Sequence, residues 1–350
     1  MLGIVATLAP EPRTSGDRDT YEKTAIAGVV SDCHDVHCFR ILVPLIVGRL
    51  PGPSLLKWKA YAVIVNAGAA VMLGYWCLIL GFSSREASLA TWIAAFGFGP
   101  LYTLFDCYTS DPLMFFLGPA ISVQLMRNRR VRAGLLATIG VFAKEFAAAP
   151  LWIFMVWAAL NRQWDLTRRL LTAALFATNV WAALHLGLMV LRNYGYGGNL
   201  STGLFGGSYI ATWVGVGPRL AARTLFIAFG ALYILAAAGW SRASRDLKRL
   251  AIASAPAVLL LVYTQQPDRA LWNFHFIVIP LAVLALQRTS NWFNRGFVAC
   301  FAVANMRVGA QLPIQAIGRA ALLTSITLAV FAVVTVRRER AHVANGPHTA

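Results

Sequence analysis

Charge is scarce in this chain. Only 13% of its 350 residues are Asp, Glu, Lys or Arg, and just 14 are acidic. That is about half the charged fraction of an ordinary soluble domain, and it excludes an ordinary soluble fold. Cysteine is sparse as well: five residues cannot build a disulfide-dense scaffold, and an odd number leaves at least one unpaired. No Gly-Lys-Ser/Thr follows the glycine-rich stretch from Asn193 to Pro218, so a P-loop is absent. No His-Glu-x-x-His motif and no Ser-His-Asp spacing supports a hydrolase. No repeat of fixed period is visible, which weighs against an inverted-repeat transporter. Met1 to Pro10 is apolar but short, with no basic stretch before it, so it does not read as a conventional signal peptide.

Apolar length is what the chain has in abundance. Apolar residues make up 58% of the sequence, in long runs from about Trp58 to Val336. In lipid, helices satisfy every backbone N–H and C=O internally, and these runs are too long and too evenly apolar for barrel strands. The expected fold is all-α, a polytopic transmembrane helix bundle. Segments of near-spanning length lie at roughly 57–82, 88–105, 111–126, 131–147, 148–160, 169–191, 219–240, 249–264, 270–287, 296–311 and 319–336, giving about eleven crossings. The stretch 131–160 is read as two short helices meeting near Lys144-Glu145, rather than one helix kinked at Pro150.

The formal charge of +17 is parcelled into short Arg-rich loops such as Arg127–Arg132, Arg162–Arg169, Arg242–Arg249 and Arg288–Arg295. That is the spacing of cytoplasmic loops, not of a nucleic-acid-binding surface. Placing each loop inside puts the C-terminus inside and the N-terminal forty residues outside. A leading helix is then expected to be missing or stunted, with Met1 to Pro10 as its remnant or the start lying downstream of the true one. The expected organisation is an extracytoplasmic segment over 1–54, a bundle over 55–340 and a cytoplasmic tail over 341–350. Ile41 to Leu50, interrupted by Pro44, is too short to cross and fits an interfacial helix.

Most carboxylates fall on the outer side of this topology. Asp32, Cys33, His34, Asp35, His37 and Cys38 form the densest reactive cluster, open to a metal site, to a disulfide of Cys33 or Cys38 with Cys107, or to Asp35 as general base. Asp106 and Asp111 flank one short turn, where capping and ligand binding are both open. Lys144-Glu145 is an ionisable pair inside an apolar stretch; neighbours on a helix point about 100° apart, so the two need not pair with each other. Arg269, after Asp268, is suited to phosphate oxygens by its fork of donors, or to an interfacial anchor with Trp272. His185 and His275 read as hydrogen-bonded helix residues. The loop 193–218 reads as an aromatic outer loop or as a lid.

Taken in order, Asp32–Pro44, Asp106–Leu117, Gly140–Pro150 and Arg269–Pro280 resemble the GT-C superfamily of integral-membrane glycosyltransferases. The resemblance implies a sugar donor linked to a polyprenyl phosphate, and a lipid or glycan acceptor reached on the extracytoplasmic face of the cell membrane. It implies catalysis by Asp35, with Asp32 beside it, and substrate binding by Asp106, Asp111, Lys144, Glu145 and Arg269. Asp32 and Asp35 stand three apart instead of forming Asp-x-Asp, so a divalent cation on Asp35, Asp106 or Asp111 stays open. The alternatives are a transporter or flippase for a polar or lipid-linked solute, and a non-catalytic cell-envelope protein.

Overall fold

The computed structural model describes residues 1–9, 16–195, 218–258, 267–306 and 314–344, and every regular element within them is helical. In chain order these are α1 (Leu2–Leu8), α2 (Gly16–Ala27), α3 (Leu42–Gly48), α4 (Ser54–Ile79), α5 (Ser84–Ala95), α6 (Phe98–Phe105), α7 (Asp111–Met126), α8 (Arg130–Gly140) and α9 (Ala149–Leu160). There follow α10 (Trp164–Arg192), α11 (Pro218–Phe229), α12 (Leu232–Gly239), α13 (Arg245–Val258), α14 (Pro267–Trp272), α15 (His275–Leu286), α16 (Asn291–Met306) and α17 (Gln315–Ala344). Short 3₁₀ turns at Val36–Phe39 and Glu145–Ala148 carry residues of interest.

The all-α expectation holds, but eleven crossings do not. Among the described residues four helical stretches are long and apolar enough to cross a membrane: Ser54–Ile79, Ser84–Phe105, Trp164–Arg192 and Gln315–Thr335. Helices do form at the other apolar segments, but they are shorter. The 16 residues of α7 span about 24 Å at 1.5 Å per residue, against a hydrocarbon core of roughly 30 Å. Breaks are responsible. Gly230, at φ +51°, separates α11 from α12, and residues 141–144 separate α8 from α9. That second break was expected, and Pro150 sits in the first turn of α9, where its missing N–H costs nothing. The 249–264 and 296–311 segments run beyond the described residues, as do Glu11, most of the 193–218 loop and the end of the tail.

α4 packs on α5 and α7, α12 on α15, α9 on α10 and α13, and α16 on α17. Trp58, Trp76, Trp272, Phe98, Phe115 and Phe276 are wholly buried between them. α10 and α17 instead leave Leu175, Phe176, Leu186, Leu323 and Phe331 exposed, as apolar helices facing lipid do. Short links between antiparallel neighbours sort the helix ends into two poles. Met126–Arg130 and Leu160–Trp164 turn at one pole, where Arg249 donates to Asn161 and Arg242 donates to the Leu284 carbonyl at 2.9 Å. Asp111, the α8–α9 break and the end of α10 lie at the other.

Candidate functional site

The second pole holds the most deeply buried charges among the described residues. α6 ends at Phe105, and the Thr109-Ser110 turn starts α7 with Asp111 and Pro112 in its first turn. Asp111 is the first helical residue and makes no cap; its carboxylate turns inward and is 2% exposed. Its Oδ1 accepts from Lys144 Nζ at 2.5 Å, and its Oδ2 from Arg269 Nε at 2.8 Å and Nη2 at 2.6 Å. Arg269 Nη2 also donates to Thr109 Oγ1 at 2.9 Å, and its guanidinium lies 4.8 Å from the centre of the Tyr102 ring. One carboxylate held by two cations tolerates burial because both of its oxygens are bonded by charged donors.

Local structure explains how these residues meet. A Cβ on Gly140 would stand 2.6 Å from Ala147 and 2.7 Å from Leu117, so only glycine lets the break after α8 press against α7. That approach brings Lys144 to Asp111. Arg269 is set by Trp272, one turn later, whose wholly buried ring fills the notch over Gly97 and Gly99. The same ring stacks on Phe229 at 5.0 Å and His275 at 5.7 Å.

Next to this cluster lies a weaker ion pair. Arg40 ends the Val36–Phe39 turn, and its Nη2 stands 3.7 Å from Glu145 Oε1. Leu42 N–H donates to the Phe142 carbonyl at 3.1 Å, which ties the first loop to the α8–α9 break. Tyr21 of α2, buried between His37 and Trp58, reaches Ser110 Oγ at 3.2 Å and so closes the cluster from above. Lys144 and Glu145 do not pair with each other; each reaches its own partner.

The other expected site residues take different places. Asp35 caps the 3₁₀ turn: its Oδ1 accepts from His37 N at 3.1 Å and meets His37 Nδ1 at 2.8 Å, while its Oδ2 accepts from Thr20 Oγ1 at 3.0 Å. Burial alone would raise its carboxyl, but the His37 ring and backbone, then Thr20, outweigh it and hold Asp35 at about 2. Asp32, at φ +57°, accepts from Asn193 Nδ2 at 2.7 Å on the exposed rim. Asp106 accepts from the Tyr102 hydroxyl at 3.3 Å, on the ring over which the Arg269 guanidinium lies. Asp268 accepts from the Arg269 N–H at 2.9 Å, and burial pushes its carboxyl up. His185 and His275 each bond a carbonyl of the preceding turn, at 3.0 and 2.9 Å.

The disulfide joins Cys33 to Cys38, not to Cys107, which is a buried free thiol. Cys107 lies beyond the Thr109-Ser110 turn, whereas residues 33 and 38 are brought together by the 3₁₀ turn between them. Among the described residues no group of three or more His, Cys, Asp or Glu could hold a metal ion. Asp35 is bonded by His37 and Thr20, and Asp111 by Lys144 and Arg269. Arg40 and Tyr21 were not singled out from the sequence as site residues. Arg40 carried a signal, as a lone cation between Phe39 and the apolar Ile41–Val43 run. Tyr21 carried none. No protein-family model, curated protein or solved structure matches the chain.

Proposed function

We propose that the chain is an integral-membrane glycosyltransferase, moving a sugar from a polyprenyl-phosphate carrier to a lipid or glycan acceptor on the extracytoplasmic face of the cell membrane. The observation that carries this reading is the convergence of Arg40, Lys144 and Arg269, from three distant segments, at the pole opposite the Arg-rich loops. These three cations gather around the carboxylates of Asp111 and Glu145, with Asp106 acting on Arg269 from nearby, and so dense a set of charged donors suits an anionic headgroup. The Cys33–Cys38 disulfide on the same pole suits an oxidising compartment. The four long apolar helices supply the lipid-facing surface that a polyprenyl chain requires.

In the proposed reaction the acceptor hydroxyl oxygen bonds to the anomeric carbon as the bond from that carbon to the phosphate oxygen breaks. The phosphate keeps the electron pair, and the added negative charge is stabilised by the cationic cluster in a partly dehydrated site. Direct displacement inverts the anomeric centre. Asp35 takes the hydroxyl proton. A carboxyl at about 2 is a weak base, so transfer follows once the oxygen has bonded and become acidic. Asp32 on the rim and Asp106 beside Tyr102 line the approach for the acceptor.

The test is thermal unfolding of the purified chain with a panel of short-chain polyprenyl-phosphate hexoses and pentoses, bare polyprenyl phosphate and neutral polyprenol. A native-state ligand raises stability by mass action. One sugar-bearing lipid should stabilise beyond the bare carrier, and Arg269→Ala should lose the effect. A folded protein indifferent to every phosphate-bearing lipid would overturn the reading.

A further inference from the structure

Arg40 and Glu145 differ from the charges beside them. Lys144 and Arg269 are each 9–10% exposed and both grip Asp111 at hydrogen-bond distance. The Arg40–Glu145 separation of 3.7 Å is beyond a hydrogen bond, and 41% of the Glu145 side chain is exposed. Glu145 is nevertheless surrounded: its 3₁₀ turn touches α7, α8, α9 and α10, and Lys144, Phe146 and Ala147 on either side of it are buried. An exposed carboxylate among four helices marks a recess open to solvent. Arg40 faces that recess from the first loop, anchored by Phe39 stacking on His185 of α10 at 4.4 Å.

We propose that Glu145 is an internal placeholder for an anionic ligand: a phosphate group enters the recess, takes Arg40 from Glu145 and leaves the Asp111–Lys144–Arg269 cluster intact. This rests on the reading above, and it assigns the headgroup phosphate to Arg40 as the first contact. Two arguments support that order. Displacing Asp111 would strand a carboxylate that is only 2% exposed, whereas 41% of the Glu145 side chain is already exposed. A guanidinium also matches two phosphate oxygens at once, and although Arg40 bonds the Tyr21 hydroxyl, its 3.7 Å contact to Glu145 leaves the donors on that side short of a hydrogen bond. The Lys144 and Arg269 charges then act on the phosphate across the cluster and not by contact.

The chemistry is that of a phosphate ester, and a free phosphate shares it, so the probes must separate the two. Binding to the full-length protein in detergent is measured with inorganic phosphate, with a C15 polyprenyl phosphate and with the matching polyprenol. Glu145→Gln removes the competitor. A weak, exposed pair is worth enough that affinity for the polyprenyl phosphate should tighten by about two- to fivefold. Arg40→Gln removes a charge-assisted contact and should weaken it by about ten- to a hundredfold. Arg40→Lys keeps the charge without the fork and should fall between them. Equal tightening for inorganic phosphate would make free phosphate the ligand of this recess, while tightening for the lipid alone assigns it to the headgroup. Wild-type protein that binds no phosphate-bearing probe sinks both this inference and the reading it rests on. Wild-type binding that Glu145→Gln leaves unchanged or weakens sinks this inference alone, and Glu145, exposed as it is, can be replaced without unfolding the chain.

Discussion

At the scale of single residues, stability and function converge on Asp111. Its carboxylate is bonded by two buried cations, so Asp111→Asn takes from Lys144 and Arg269 the carboxylate that both grip. The expected cost is about 3–5 kcal/mol, read as a large fall in unfolding temperature. Asp106→Asn, at the far side of the same turn, keeps an acceptor for Tyr102 and removes a charge that acts on Arg269 from a distance, so it should cost no more than about 1 kcal/mol. Equal losses from the two would show that Asp111 is not the keystone of the cluster. Asp35 gives a pH signature. Its carboxyl lies below its ordinary value of about 4, so its contribution is complete above that pH and is lost as pH falls through about 2. Acid unfolding of wild-type protein should therefore steepen between about pH 4 and 2, and Asp35→Asn should flatten that limb.

At the scale of elements, the question is how short helices hold the cluster in place. α14 is six residues long and cannot be stable alone; its anchor is Trp272 in the notch over Gly97 and Gly99. Trp272→Ala should cost about 3–5 kcal/mol and loosen Arg269, weakening any phosphate-bearing lipid although Trp272 touches none. Unfolding temperature together with lipid affinity checks both halves of that statement. The first loop is held differently. Asp32 N–H bonds the Arg192 carbonyl and Gly195 N–H bonds the Cys33 carbonyl, both at 2.9 Å, which seats the disulfide loop on the end of α10. Replacing Cys33 and Cys38 by Ser should cost about 2 kcal/mol for so short a loop. Hydrogen exchange at Asp32 and Gly195 should then accelerate, while the amides of α4 stay protected.

At the scale of the whole molecule, the two poles make a topological claim. A cysteine at Arg129 and one at Pro51 belong to opposite poles, and hence to opposite faces of a membrane. In a Cys300→Ser background, with Cys77 and Cys107 buried, an impermeant thiol reagent on intact cells should label the Pro51→Cys protein and spare the Arg129→Cys protein. Labelling of both, or of Arg129→Cys alone, would refute the orientation.

Much of this was legible in the chain. Sparse charge and long apolar runs are sums over many residues, insensitive to which atoms touch, and they determined by themselves that the fold is helical and suited to lipid. Arg-rich loops at one pole followed from local spacing in the same way, as did the break at Lys144. The number of full-length helices did not. Hydropathy measures apolar length but not whether a helix stops inside it, and here the close packing at Gly140 and the positive φ of Gly230 mark where helices end. Nor did the site. Asp111 and Lys144 are 33 residues apart, and Asp111 and Arg269 are 158 apart. No periodicity links positions so separated, and Arg40 and Tyr21 join them only because α2 and the disulfide loop fold back over the start of α7. Composition sets the environment a chain can enter, because the solvation of its surfaces is additive. Which buried charges meet is decided by tertiary structure alone, because each partner is tolerated there only with the other in place.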